Sequence, residues 1–246
     1  MHSRSIQISI LMVTLLLSSC FEPPEFSEIP KIAFNSLRFI DYETERDSMV
    51  LSFDFEDGDG NIGLTENELF FPFHPFDYVI DARDSLVTFS DPDVEPPLYL
   101  VSSRVDPTKE LLSETDNRPP YNCKDYQVSA NDTLYIRKNP YHNNLHIDFL
   151  RKRSGEYEVI DFAETFGNTN CSEVDFNGRI PIFDVENLGR SLSGTINYTM
   201  FSIGFPIVLR RDTFKVRFFI YDRALNVSNT VESPDLTLQM ITDERN

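Results

Sequence analysis

The chain has 246 residues, with 22 Lys and Arg against 40 Asp and Glu, a formal net charge of −18. A field of that sign repels nucleic-acid phosphates and anionic lipid headgroups, so nucleic-acid binding is excluded as a function. Aromatic residues make up 13% of the chain, with 21 Phe and no Trp, enough apolar mass for a packed core and against intrinsic disorder.

Arg4 is the one charge of the first twenty residues, an apolar run extends from Ile6 to Leu17, and Leu17-Ser18-Ser19-Cys20 closes it. The run is about 12 residues long, whereas a spanning helix needs roughly 20. It reads as the apolar part of a secretion signal, not as a membrane anchor. Leu-Ser-Ser-Cys resembles a bacterial lipobox, which implies cleavage before Cys20 and lipid on its sulfur and amine. A Leu three before the Cys, Ser at both intervening positions and an uncharged run favour this over an ordinary signal-peptidase site. A single acyl chain, at about 0.8 kcal/mol per buried methylene, binds a bilayer only marginally, whereas two or more anchor it. The expectation is an outer-membrane lipoprotein of a cell envelope, tethered through acylated Cys20 and otherwise solvated. Loss of residues 1–19 removes one Arg and no acid, leaving 21 basic against 40 acidic side chains, net −19.

Residues 20–31 follow as a lipidated terminus and spacer, stiffened by Pro23, Pro24 and Pro30 and swollen by Glu22, Glu25 and Glu28. From residue 32 the apolar period is two. Met49, Leu51, Phe53 and Phe55 alternate with more polar neighbours, as a strand with one buried face requires. The pattern recurs at Leu145 to Phe149, Ile196 to Met200, Phe214 to Ile220 and Leu236 to Met240. Further strands are expected over 32–41, 133–137, 157–162 and 179–183. Arg153-Ser154-Gly155-Glu156 reads as a hairpin turn, and Asp222 to Asn226 as a turn after the strand ending at Tyr221. The one helical signal is Pro107 to Ser113.

These elements predict an all-β, antiparallel two-sheet sandwich, a single domain over 32–243 with a long Pro-rich insertion at about 70–128. The insertion holds Phe71-Pro72-Phe73-His74-Pro75-Phe76, Glu95-Pro96-Pro97 and Arg118-Pro119-Pro120, whose prolines are expected to block regular ladders. The Phe-Pro cluster reads as a lid over the sandwich or as an exposed contact surface. Cys123 and Cys171, an even pair in an exported chain, predict a disulfide that closes a loop of about 49 residues and contributes roughly 4 kcal/mol.

The candidate cation ligands are Asp57, Asp59 and Asn61 within Asp57-Gly58-Asp59-Gly60-Asn61-Ile62-Gly63. Carboxylates alternating with glycine can turn several oxygens toward one hard cation such as calcium, with Asp54 or Glu56 as additional ligands. An EF-hand is not expected, because Phe55 falls on its first ligand position and a strand precedes the loop where a helix should be. The competing reading is a tight turn whose Asp and Asn side chains bond their own backbone. His142 and His146 lie four apart, but zinc would need a third ligand and a supporting shell. No nucleophile elbow, His-Glu-x-x-His or phosphate-cradling loop occurs.

The motif at Asp57 to Gly63, with Asn131-Asp132-Thr133-Leu134, Gly155-Glu156-Tyr157-Glu158 and Phe219 to Asn229, resembles envelope lipoproteins of Bacteroidota-type bacteria with an immunoglobulin-like β-sandwich. The resemblance implies location and fold, and no catalytic residue. Asp47-Ser48-Met49, Asp84-Ser85-Leu86 and Asp132-Thr133-Leu134 also look like the O-glycosylation acceptors of those bacteria, or else simply end turns before strands. Function is expected to be non-catalytic: a binding or assembly module for an envelope protein or a glycan. The alternatives are a secreted glycan hydrolase with paired carboxylates and a calcium-dependent adhesion module centred on Asp57 and Asp59.

Overall fold

The computed structural model describes residues 26–42, 47–102, 111–129, 132–165, 174–183, 190–202 and 204–243. The expected signal segment, Cys20 and Cys171 lie outside these residues. The fold is mostly β, 42% strand against 9% helix, in antiparallel sheets, as the two-residue apolar period demands.

Strands β1 (Lys31–Ile40), β2 (Ser48–Asp57) and β10 (Leu192–Phe201) form one sheet with β2 in the centre. A second sheet runs in the order β12 (Val231–Glu232), β11 (Phe214–Ile220), β8 (Leu145–Arg153) and β9 (Glu156–Val159). Both contribute to one apolar core. Met49, Leu51, Phe53 and Phe55 point into it from β2, and Phe214, Val216, Phe218 and Ile220 from β11. The Phe53 and Phe218 rings meet across the sheets at 5.2 Å. With no Trp available, Phe149 fills the interior, its ring against those of Phe162, Phe176, Phe205 and Phe214. Tilted and edge-on ring geometry of this kind adds to area burial. The β8–β9 hairpin turns through Ser154 and Gly155 at φ 52° and 93°, the two positive angles that match the strand twist.

The segment expected to be a proline-broken insertion folds otherwise. β3 (Phe76–Ile80), β4 (Leu98–Leu100), β5 (Leu111–Ser113), β6 (Tyr126–Val128) and β7 (Thr133–Lys138) make a third sheet in the order β5-β4-β3-β7-β6. It has its own core of Val79, Val87, Leu98, Tyr126 and Tyr135. The prolines fall between its strands, where no ladder donor is needed, so they punctuate the sheet and do not prevent it. β7, expected in the main body, is the strand between β3 and β6.

Three further expectations change. Residues 111–113 of the expected helix form β5, and residues 107–110 lie outside the described residues. Leu238–Ile241 is one helical turn, not a strand, because the Thr237 hydroxyl caps it by accepting from the Met240 N–H. Only Leu236 keeps a bridge, to Phe214. Residues 179–183 make no strand. Gly178 bridges Leu145, and the Asn144 side chain then takes the Ile180 N–H at 2.7 Å.

Candidate metal centre

The inward register of each central strand runs one step past its last apolar residue and ends on an aspartate. On β2 the inward positions are 49, 51, 53 and 55, and the next is Asp57. On β11 they are 214, 216, 218 and 220, and the next is Asp222. Phe53 and Phe218, already in contact across the core, each lie four residues before these acids, so the two carboxylates meet at the same end of the shared core. Asp59 enters from the glycine turn that follows β2. One oxygen from each of Asp57, Asp59 and Asp222 lies within 4.8 Å of the others.

Asp57 is wholly buried and Asp222 is 1% exposed. Neither oxygen of Asp57 has a hydrogen-bond partner, and Asp59 Oδ1 has none. Asp59 Oδ2 accepts from Asn61 Nδ2 at 2.6 Å, and Asp222 accepts from the Asn226 N–H and side-chain amide, both at 2.8 Å. Asp81 shows what a structural buried aspartate looks like in this chain. It is also 1% exposed, yet Oδ1 takes the Arg83 and Ser85 N–H groups and Oδ2 the Arg83 guanidinium. Burial pushes Asp81 up, but those donors outweigh it and hold its carboxyl below the usual range. Asp57 has far less compensation. Burial, then the Asp59 charge, push it up to about 7, and the nearby Asn61 backbone N–H offsets only part of this. Asp222 is likewise pushed up, first by burial, against its bonds to Asn226.

Buried carboxylates without donors are costly unless a cation takes the place of water. The ligand chemistry narrows the ion: carboxylate oxygens within 4.8 Å of one another suit a hard cation, and calcium accepts a site built mainly of protein oxygens, whereas magnesium usually keeps several waters. Asn61, expected as a ligand, donates its side-chain amide to Asp59 and so orients that carboxylate. Asp54 and Glu56 fall on the opposite, exposed face of β2, where Asp54 accepts from Thr195 Oγ1 at 2.6 Å. Strand parity removes both from the site. Asp222 was missed because it is 165 positions from Asp57 in the chain; its signal is the inward register of β11 carried past Ile220.

The turn admits no side chain at its glycines. A Cβ on Gly58 would strike the carbonyls of Phe26 and Ser27, and one on Gly63, at φ 114°, would lie 2.7 Å from the Pro181 oxygen. The Gly58 N–H donates to the Ser27 oxygen at 2.7 Å, so the chain leaving the spacer is fastened to this loop. Arg223, next to Asp222, locks the opposite side. Its guanidinium reaches the Gly63 oxygen at 3.2 Å and both oxygens of Glu68, and lies over the Phe73 ring. The Arg223 hydrogen bonds hold Glu68 down to about 2 against burial.

Comparison of the chain with protein-family models, with curated proteins and with solved structures finds no match.

The remaining expected sites are dispersed. Cys123 is disulfide-bonded, in the stretch leading into β6; Cys171 and Cys20, the two other cysteines, lie outside the described residues. His142 Nδ1 lies 3.0 Å from the Phe73 oxygen, and His146 Nε2 2.9 Å from the oxygens of Pro140 and Asn143, so their free-electron pairs do not converge. The Phe-Pro cluster divides: Phe73 is buried, and Phe71 is exposed. Of the three acceptor-like triplets, Ser48 is buried at the start of β2, which removes it as a surface acceptor in the folded chain. Among the described residues no helix is long and apolar enough to cross a membrane.

Proposed function

We propose that this chain is an outer-membrane lipoprotein acting as a non-catalytic binding or assembly module, with an immunoglobulin-like sandwich organised around one calcium ion and tethered by acylated Cys20. The observation that carries the reading is the set Asp57, Asp59 and Asp222, with both Asp57 oxygens buried and unpartnered. A site closed over by the ends of two central strands suits a structural ion. Its carboxylates are too deep to straddle a glycosidic bond, as a hydrolase requires, and this favours recognition over turnover. Calcium would fix the Asp57–Gly63 loop against the Asp222–Asn226 turn, and with them the chain end entering from the spacer.

The test is calorimetric titration of the full-length chain, stripped with a chelator, against calcium and against magnesium. One calcium per chain, bound more tightly than magnesium and abolished by Asp222→Asn, is the expected result. Absence of binding heat together with an unmoved unfolding temperature refutes the reading.

A further inference from the structure

We propose that two copies of this chain pair through β10, each strand joining its antiparallel image across a two-fold axis at Asn197. The pairing goes beyond the calcium reading and does not rest on it. An open sheet presents two edges of unpaired N–H and C=O groups, and chains that stay apart blunt them with charge, proline, a bulge, short length or cover. Among the described residues, five of the six edges are blunted. β12, β5 and β6 are two or three residues long, and β9 has four, two of them Glu156 and Glu158. β1 carries Lys31 and Arg38, and its register shifts between Phe34 and Ser36. It is also covered: Asn229 takes the Ile32 N–H at 2.8 Å and donates to the Ile32 oxygen at 2.9 Å, and the Asp243 N–H donates to the Phe39 oxygen at 2.8 Å.

β10 has none of these devices. Its ten residues, Leu-Ser-Gly-Thr-Ile-Asn-Tyr-Thr-Met-Phe, include no charge and no proline, and its register on β2 runs unbroken from Leu192 to Phe201. Among the described residues no second strand pairs with it, and its backbone bonds to β2 alone. Thr195 Oγ1 donates to Asp54 at 2.6 Å, and the Asn197 side chain accepts from the Ser52 hydroxyl. Both side chains therefore lean back over β2 and leave the other side of the strand clear. Gly194, although at an inward position opposite Phe55, is exposed.

The pattern of β10 answers itself. A charged strand from elsewhere would find no counter-charge along it, whereas a second β10 brings none to be matched. Two-fold antiparallel pairing sets one residue opposite itself and keeps the inward faces of both strands on one side of the joined sheet. With Asn197 at the axis, Thr195 faces the partner's Thr199, and Ile196 faces the partner's Tyr198. Thr with Thr and aromatic with β-branched are favourable cross-strand pairs, and symmetry makes each of them twice. Phe201, 63% exposed, then lies opposite the partner's Ser193. The pairing sets the Ser27 ends of the two copies at opposite ends of the joined strands, so both proposed tethers reach one membrane when β10 lies along it.

The test is sedimentation velocity of the full-length chain in non-ionic detergent over a range of concentrations. At physiological ionic strength a Debye length of about 8 Å screens the net charge of −18 on each copy, and wild type should pass from monomer to dimer as concentration rises. Asn197→Lys and Asn197→Glu each set two like charges face to face at the axis and should each weaken the dimer roughly fivefold. Mixing the two variants should restore it, because Lys then faces Glu, and that rescue also shows that both variants are folded. A monomer at every concentration, a wild-type dimer that neither variant weakens, or variants that stay apart when mixed overturns the proposal. Association through the apolar N-terminal segment belongs to the second of these outcomes, since it would leave wild type and variants alike.

Discussion

Replacing Asp57 by Asn separates the cation site from an ordinary turn, because the sign of its effect depends on calcium. Without the ion, the folded wild type above neutral pH holds a charged, unpartnered carboxylate whose pKa stands at about 7 against an ordinary value of 3.8. At 1.36 kcal/mol per unit, that difference of about three units costs the native state on the order of 4 kcal/mol at pH 8. Asn is nearly the same shape and carries no charge, so the chelator-treated variant should be more stable than wild type at pH 8. The direction with pH follows from the raised value. Folding binds a proton that the unfolded chain has already lost between pH 4 and 7, so the metal-free wild type loses stability as pH rises through that window, and the variant's advantage shrinks as pH falls through it. With calcium at a hundred times its dissociation constant, wild type should gain about 2.7 kcal/mol, and the variant little. Thermal and urea unfolding at pH 8 and pH 4.5, each with calcium and with chelator, read all four conditions. A metal-free variant less stable than wild type at pH 8, together with a calcium response equal to wild type, refutes the reasoning.

Cys20→Ser should abolish acylation and move the chain from the membrane fraction to the soluble one; palmitate labelling that persists in the variant refutes the anchor. Peptide mapping without reductant should recover Cys123 linked to Cys171, and finding Cys171 as a free thiol would overturn that pairing. Arg223→Ala should cost roughly 1–3 kcal/mol in urea unfolding, since it leaves the largely buried Glu68 charge with only its Thr65 donors, and adding Glu68→Gln should restore part of the loss. Because Arg223 holds Glu68 near 2, the pair's contribution is full above the unfolded value of about 4.5 and fades as pH falls toward 2. The wild-type and Glu68→Gln stability curves should therefore converge on acidification over that window, and parallel curves would count against it.

The strands of the two sheets that share the main core were legible because burial on one face leaves a two-residue trace, as at Met49 to Phe55 and Phe214 to Ile220. Short strands leave none. β4 and β5 are three residues each, too brief for a period, and the prolines around them, including Pro96 and Pro97, read as ladder breakers although they lie just outside the ladders. Leu236 to Met240 carries the alternation of a strand and still forms a helical turn, because the Thr237 cap and the core contacts of Leu238 and Ile241 decide the outcome locally. In the candidate site, Asp57 and Asp59 stood out by glycine spacing, a local property. Asp222 could be found only by carrying the strand parity of β11 past its apolar end, and the choice against Asp54 and Glu56 needed the same parity on β2.

Asp57 and Asp222 occupy positions where the core register calls for an apolar residue, and a hydrophobic pair of similar volume would be the more stable solution in the absence of an ion. On the proposed calcium reading these two acids, with Asp59 beside them from the turn, make the closing of that end of the core conditional. Without the cation, the Asp57–Gly63 loop and the Asp222–Asn226 turn repel each other; with it, its binding free energy becomes folding free energy for both. The condition would reach further than the proposed ligands, because Gly58 holds Ser27 and Arg223 holds Glu68 and the Gly63 carbonyl. Hydrogen exchange gives this a local readout. Calcium removal should raise exchange at the Gly58 and Arg223 amides and leave the mid-strand amides of Phe53 and Phe218 protected, whereas uniform loss of protection across the sandwich would mean that the ion holds the whole core and not one end of it.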